Sequence, residues 1–225
     1  MRGTWSLVGR REELALLGQA AREGTGGGSV VAGAAGVGKT RLVSAALSSL
    51  AQDGWATEWT TASDELSAVP LGAFAHLVSL DAVASSGSSL DVGGFAGAIQ
   101  ALRANAGGRR LCVGVDDAHL LDPASIGLLQ LVARHGIGYV MATVRADESG
   151  AERLAWLWKD GGERVELQAL SRTECEQLVV ELVGGPVDAA TMAELWARTG
   201  HHRGRRGCVR RRGGAALRAR TLAKR

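Results

Sequence analysis

The stretch GAAGVGKT, residues 33–40, decides the fold of this chain. It matches the pattern G-x-x-x-x-G-K-[ST] at every defined position. A short apolar run, residues 29–32, precedes it, and apolar residues recur at helical spacing from Lys39 to Leu50. A buried strand, a glycine-rich turn and a helix in this order predict a phosphate-binding loop (P-loop). The alternative is a glycine-rich turn that binds nothing.

The residue types in this loop suit the phosphates of a nucleoside triphosphate. Glycines let successive backbone N–H groups curl toward an anion, and the helix N-terminus adds a partial positive charge. We expect Lys39 to reach the β- and γ-phosphates and Thr40 to bind Mg²⁺. Lys39 is one of only three lysines in the chain, against 23 arginines. The predicted nucleotide-contacting residues of the loop are Gly33, Ala34, Ala35, Gly36, Val37, Gly38, Lys39, Thr40 and Arg41.

A second apolar run, residues 111–115, ends in two carboxylates, Asp116 and Asp117. A P-loop requires an acidic partner for its metal ion, so Asp116 is predicted to hold Mg²⁺ through water. Asp117 is predicted to orient and polarise the attacking water. The alternative is that the pair only caps a turn before the helix that Asp122 begins.

Arg145 follows the next apolar run, residues 137–144. A cation at the end of this strand would face the γ-phosphate and sense its presence. The alternative is a solvated arginine at a strand end. His119, two residues after the acidic pair, is expected on the surface, and contact with the site is the less favoured interpretation.

The rest of the chain alternates between strand and helix patterns, which predicts a parallel sheet covered on both faces. The fold class is therefore an α/β, three-layer P-loop NTPase sandwich over residues 1–168. A capping box of Ser171 and Glu174, and Asp188 as a second N-cap, predict a partial helical lid over residues 169–200. Strands are expected at residues 29–32, 55–61, 110–115, 137–144 and 164–167. Helices are expected at residues 10–21, 39–50, 71–80, 91–105 (with Asp91 as N-cap) and 123–134. A serine-rich loop is expected at residues 84–89.

Charge is distributed unevenly along the chain, whose formal net charge is +3. From Arg203 onward there are nine arginines, one lysine and no acid, so the preceding body is acidic. An acidic body argues against direct DNA binding, and no helix-turn-helix is present. No apolar run is long enough to span a membrane and no signal peptide begins the chain, so a cytoplasmic location is expected. Three widely spaced cysteines favour free thiols, with Cys112 in a core strand.

Six stretches together resemble the ATPase domain of large LuxR-type transcriptional regulators, in the signal-transduction branch of the AAA-like P-loop ATPases. The resemblance covers about residues 5–199. The opening VGRREEL and the stretch DDAHLLDPAS are its most specific parts. The stretches are LVGRREELALL (7–17), GAAGVGKTRLV (33–43), PLGAFAHL (70–77), VDDAHLLDPAS (115–125), ATVRADE (142–148) and LWKDGGERVELQALSRTE (157–174).

The resemblance implies ATP as the nucleotide and Mg²⁺ as the metal ion. It places residues 7–10, including Gly9 and Arg10, beside the adenine. It matches Asp116 to the Mg²⁺ aspartate, Asp117 to the water-activating acid and Arg145 to the sensor position. Family members use the nucleotide state to govern assembly, so self-association and a site shared between subunits stay open.

The sequence departs from the family after Thr199. His201 and His202 follow, and then an Arg/Gly-rich tail over residues 201–225 that is expected to be disordered in isolation. Long Arg/Gly runs without acids are typical of a GC-rich frame read out of register. The tail is therefore interpreted as a shifted reading frame at the end of a truncated regulator. The alternative is a genuine basic tail that contacts nucleic acid or a membrane surface.

Three functions remain in competition on the sequence. The leading one is an ATP-binding regulatory module that switches with its nucleotide and hydrolyses slowly at most. The second is a relic that holds nucleotide without turnover. The third is a P-loop kinase, which the double aspartate disfavours because a kinase needs no water-activating acid.

Overall fold

Five parallel strands form one sheet in the computed structural model, which describes residues 7–24, 27–77, 92–146, 149–159 and 162–199. The order across the sheet is β2-β3-β4-β1-β5. All paired strands are parallel, so the carboxyl ends of β1, β3 and β4 lie at the same edge. The strands are β1 (Gly28–Gly33), β2 (Ala56–Thr61), β3 (Leu111–Asp116), β4 (Tyr139–Arg145) and β5 (Glu163–Glu166).

Successive residues of the central strands point into two separate cores, because side chains alternate across a strand. In β3, Val113 and Val115 join one core and Cys112 joins the other. Burial raises the pKa of the Cys112 thiol to about 12, since the charged thiolate would lose its hydration. The thiol is free, as expected, and it behaves as a small core residue.

Helices cover both faces of the sheet, which confirms the predicted three-layer α/β sandwich. Residues of α1 and α2 build the core on one face, and residues of α3 and α4 build the core on the other. The helices are α1 (Arg11–Glu23), α2 (Lys39–Gln52), α3 (Val92–Ala106), α4 (Pro123–Arg134) and α5 (Trp156–Lys159), with 3₁₀ turns η1 (Gly72–Leu77), η2 (Ala118–Leu120) and η3 (Ser149–Leu154).

The prediction of a helix at residues 71–80 is wrong. The described part of it is the 3₁₀ turn η1, and its backbone leaves helical geometry at Phe74, with φ −111°. Leu71 just before it has φ 55°, which prevents a regular helix from starting there. Residues 78–80, the loop 84–89, Asp91 and the tail 201–225 lie outside the described residues.

Asp122 begins α4, as predicted, and also holds the loop before η1. Its carboxylate accepts hydrogen bonds from the backbone N–H groups of Ala124 and Ser125, both at 2.9 Å, and from the Ser125 hydroxyl. The same carboxylate accepts from the Leu71 N–H at 3.1 Å. Asp122 is only 4% exposed, so these donors have no ready access to water as a substitute. One side chain therefore fixes a helix end and a distant loop together.

We expect Asp122→Ala to lower the free energy of unfolding by roughly 3 kcal/mol, because it removes an N-cap and leaves buried N–H donors unpaired. Urea unfolding followed by circular dichroism measures this. Asp188→Ala is the matched control. Asp188 caps its helix through Ala190 and Thr191 in the same way, but its bonds are exposed. An equal loss of unfolding free energy in the two variants would show that the burial of Asp122 does not add to the stability that its cap provides.

A helical hairpin follows the sheet and consists of α6 (Arg172–Val183) and α7 (Ala189–Thr199). The Ser171–Glu174 capping box is present at the start of α6, and Gly184 ends the helix with φ 74°. α6 contains no buried residue. Its order therefore depends on these local caps and on contacts at its first turn. Among the described residues no helix is both long and apolar enough to cross a membrane.

Candidate functional site

The loop at residues 33–40 leaves β1 and turns directly into α2. Gly36 and Gly38 have φ values of 77° and 96°, which only glycine adopts without strain. Neither position has an atom within 4 Å of an added Cβ, so backbone conformation and not crowding requires glycine there. The left-handed Gly38 directly precedes Lys39, the first residue of α2. The loop backbone is thus shaped as the motif predicts.

Gly33 is a glycine for a different reason than the sequence suggested. A Cβ at this position would lie 2.6 Å from the main-chain oxygen of Leu167, just after β5. Leu167 in turn donates its N–H to the Ala32 oxygen at 2.7 Å. The first glycine of the motif therefore permits close packing of the chain that leaves β5, a contact that no local pattern reveals.

Lys39 folds back over the loop. Its Nζ donates to the main-chain oxygens of Gly33, at 3.0 Å, and Ala34, at 2.9 Å. The residue is 7% exposed. A buried ammonium group held over this loop is well placed to bind a phosphate, because an anion attracts it more strongly than a neutral carbonyl oxygen does.

Thr40, Asp116 and Thr143 form a hydrogen-bonded group at the carboxyl edge of the sheet. The Thr40 hydroxyl donates to Asp116 Oδ1 at 2.9 Å, and the Thr143 hydroxyl donates to the same oxygen at 2.6 Å. Thr40 comes from α2, Asp116 from β3 and Thr143 from β4. Hydroxyl and carboxylate oxygens so close together are the donor set that Mg²⁺ prefers, so these residues fit the predicted metal ion.

Thr143 is the site residue that sequence reasoning missed. Its hydroxyl also accepts the Asp117 N–H at 2.9 Å, so it holds both acidic residues at once. Thr143 is fully buried and pairs with Val31 in the register of β4 with β1. The signal was a polar residue inside an otherwise apolar strand, two positions before Arg145.

Asp117 has an unusual backbone. Its φ of 49° and ψ of 41° put it in the left-handed region, where Asp and Asn are among the few tolerated non-glycine residues. The hydrogen bond from its N–H to Thr143 holds it there. This turn separates the two carboxylates: Asp116 is buried under Thr40, whereas Asp117 faces a pocket.

A pocket of about 380 Å³ collects most of the predicted side chains. Among the described residues of its lining, Lys39, Arg41 and Arg145 supply cationic side chains and Asp117 supplies a carboxylate. This charge balance favours a polyanion. The described residues that line the pocket are Ala35, Gly36, Gly38, Lys39, Thr40, Arg41, Asp117 and Arg145.

Several predicted residues are absent from the described lining of this pocket. Gly33, Ala34 and Val37 shape the loop, and Val37 packs on the core that α1 and α2 share. Gly9 and Arg10 lie at the start of α1. The Arg10 side chain is buried and is bonded to Glu13 and to the main-chain oxygen of Gln168.

The expectation of a surface position for His119 is wrong. The residue is 9% exposed, within η2, and its Nδ1 has no hydrogen-bond partner in the part of the chain that is described. His119 is not part of the pocket lining given above. A short turn folded back onto the core buries it, and a local sequence pattern does not show this.

Comparison with known proteins gives one family match and a fold. A family model described as "AAA ATPase domain" matches residues 6–142. No curated protein sequence matches the chain. Similar solved structures include a "crystal structure of DNA replication initiation factor", with TM-score 0.54, and a "structure of AMPPCP-bound DnaA from Aquifex aeolicus", with TM-score 0.53. Each is 14% identical, and each match covers 84% of this chain and 54% of the other. The chain thus spans about half the length of these structures, and at this identity the likeness shows the fold alone.

Proposed function

The chain belongs to the AAA ATPase domain family, and from this membership we propose that it binds Mg-ATP, hydrolyses it slowly and acts as the nucleotide-dependent switch of a LuxR-type transcriptional regulator. The observation that carries the proposal is the convergence of three strand ends on one pocket. The P-loop follows β1, the acidic pair ends β3, and Arg145 ends β4.

The binding roles follow from the positions of the side chains. The exposed loop backbone and Lys39 would hold the β- and γ-phosphates, and Arg41 adds a further cation at the pocket. Thr40 and Asp116 would hold Mg²⁺, since their oxygens already lie 2.9 Å apart. Bound there, the metal ion would neutralise charge that develops on the transferred phosphoryl group.

The hydrolytic roles fall to the two remaining polar groups of the lining. Asp117 would accept a proton from the attacking water and hold that water in line with the γ-phosphate. Arg145 would stabilise the negative charge on the phosphoryl oxygens and report whether the γ-phosphate is present. Asp117 directly follows β3 and Arg145 ends the neighbouring β4, so the sheet fixes the spacing of their backbones.

The regulatory part of the proposal rests on two features. The stretches VGRREEL and DDAHLLDPAS resemble those of the LuxR-type regulators. The hairpin of α6 and α7 follows β5 after a short linker, and α6 contains no buried residue, so packing of α6 does not tie the hairpin to one position. ATP and ADP would shift it only through different affinities for those positions.

Titration of the purified chain with Mg-ATP and Mg-ADP, combined with a phosphate-release assay, tests the proposal. Saturable, Mg²⁺-dependent binding with slow phosphate release is expected. Absence of binding at millimolar nucleotide would contradict the whole proposal. Binding without release would favour a non-hydrolysing relic, and phosphoryl transfer only to an added acceptor would favour a kinase.

A further inference from the structure

Arg10 ties the start of α1 to the linker that leads from β5 to the hairpin. The residue is 8% exposed. Its guanidinium donates one hydrogen bond to the main-chain oxygen of Gln168 and another to Glu13 Oε1 at 3.1 Å. An arginine buried at this level is rarely placed without a structural or functional need, because removing its charge from water is costly. Here it immobilises the linker backbone.

Glu174, in the first turn of α6, lies against Gly9. A Cβ added to Gly9 would collide with the carboxylate of Glu174, so this side chain lies directly against Gly9. The Glu174 carboxylate also accepts the Ser171 N–H at 2.6 Å. Partial burial opposes ionisation of Glu174, but the hydrogen bonds from Ser171 and the positive charge of Arg10 outweigh it and lower its pKa. Arg10 thus acts on the linker and on α6 together.

The opposite side of the same linker contacts the P-loop. The Leu167 oxygen leaves no room for a methyl group on Gly33. The oxygen of Gly33 is one of the two groups that Lys39 bonds. A movement of Lys39 toward a phosphate removes that bond. Leu167 is attached to the same strand end, because its N–H donates to the oxygen of Ala32, the residue before Gly33, at 2.7 Å. Residues 167–168 are therefore held between the phosphate loop and Arg10.

We propose, on the basis of the proposed function, that Arg10 and Glu174 form a latch that couples occupancy of the phosphate loop to the position of the α6–α7 hairpin. The path runs from Lys39 through Gly33 and the linker to the start of α6. Because α6 buries none of its own residues, contacts at its first turn decide how firmly it is held. Two ligand states of the loop then correspond to a held and a released hairpin.

Hydrogen exchange of the whole chain, with and without Mg-ATP, tests this latch. Glu174→Gln keeps an acceptor for the Ser171 N–H, and Gln is compatible with a capping box, so the variant mainly removes the charge beside Arg10. Arg10→Lys keeps the positive charge but removes the guanidinium group, whose two nitrogens bond Gln168 and Glu13 at the same time. Glu176→Gln is the control, since Glu176 pairs with Arg172 on the exposed surface of the same helix.

Without nucleotide, we expect amides of α6 to exchange about fivefold faster in Glu174→Gln than in wild type, and within about twofold of wild type in Glu176→Gln. The change that Mg-ATP causes in the exchange of α6 in wild type should fall to less than about a third in either latch variant. The double variant should lose little more, because both side chains hold the same junction of residues 9–10, the linker and the first turn of α6.

Two results separate failure of the latch from failure of the proposed function. If wild type binds Mg-ATP but both latch variants exchange like the control, the latch is wrong and the function stands. If wild type binds no nucleotide, the proposed function fails, and nucleotide-free exchange of Glu174→Gln still decides whether the latch exists. If Arg10→Lys fails to fold, Glu174→Gln alone decides the test. Glu174 is only half-buried at a helix end, so its substitution is compatible with folding.

Discussion

Replacing Lys39 with alanine should weaken Mg-ATP binding by at least about 30-fold, because truncating one partner of a buried, hydrogen-bonded charge pair costs about 2–5 kcal/mol or more. Lys39 is the first residue of α2, and its Nζ lies 3.0 Å from one loop oxygen and 2.9 Å from the next. The side chain is therefore held over the loop where phosphates are expected. Arg41 and Arg145 do not compensate, since neither replaces a charge in that position.

Isothermal titration calorimetry of wild type and Lys39→Ala with Mg-ATP measures this loss. Lys159→Ala is the matched control, because Lys159 is an exposed lysine at the end of α5. Its affinity should remain within about twofold of wild type, as for a surface charge outside the site. A Lys39→Ala variant that melts like wild type yet binds within about threefold of it would rule out a P-loop role for this lysine.

Replacing Asp117 with asparagine should reduce phosphate release by about 100-fold or more while nucleotide affinity changes little, since general-base catalysis contributes 10²–10⁴. The substitution is nearly isosteric. Asparagine tolerates the left-handed backbone at φ 49° as well as aspartate does, and the hydrogen bond to Thr143 comes from the backbone N–H. The fold of the turn should therefore survive, and only the proton acceptor is lost.

Single-turnover phosphate release, with affinity measured in parallel, separates chemistry from binding. Asp116→Asn provides the contrast, because Asp116 is bonded to Thr40 and its loss should weaken Mg²⁺-dependent affinity as well as turnover. Hydrolysis at the wild-type rate by Asp117→Asn would remove Asp117 from the mechanism. Equal losses of affinity in both variants would assign Asp117 a binding role instead.

Much of the fold could be predicted because its signals are local. Strand and helix positions followed from apolar spacing, and apart from η1 their bounds agree with the structure to within two residues. Asp122, Asp188 and the Ser171–Glu174 box identified helix starts, since an N-cap needs only a side chain and the next few N–H groups. The P-loop was equally visible, because its function depends on consecutive residues.

What the sequence did not show depends on contacts between distant residues. The placement of β4 between β1 and β3 puts Thr143 next to Asp116, 27 positions away in the chain. The close approach of Leu167 to Gly33 spans an even longer separation. The burial of His119 and the kink at Phe74 arise from how turns pack on the core, which overrides local preference.

The position of β1 between β4 and β5 has a consequence for biosynthesis. Its two neighbours, β4 and β5, begin at Tyr139 and Glu163, far downstream on the messenger. Until residues 139–145 have left the ribosome, the nascent chain holds a complete phosphate-loop motif whose strand lacks its partners β4 and β5. The site can assemble only after β4 has emerged, so until then the nucleotide cannot assist maturation and the apolar segment of β1 stays exposed to aggregation.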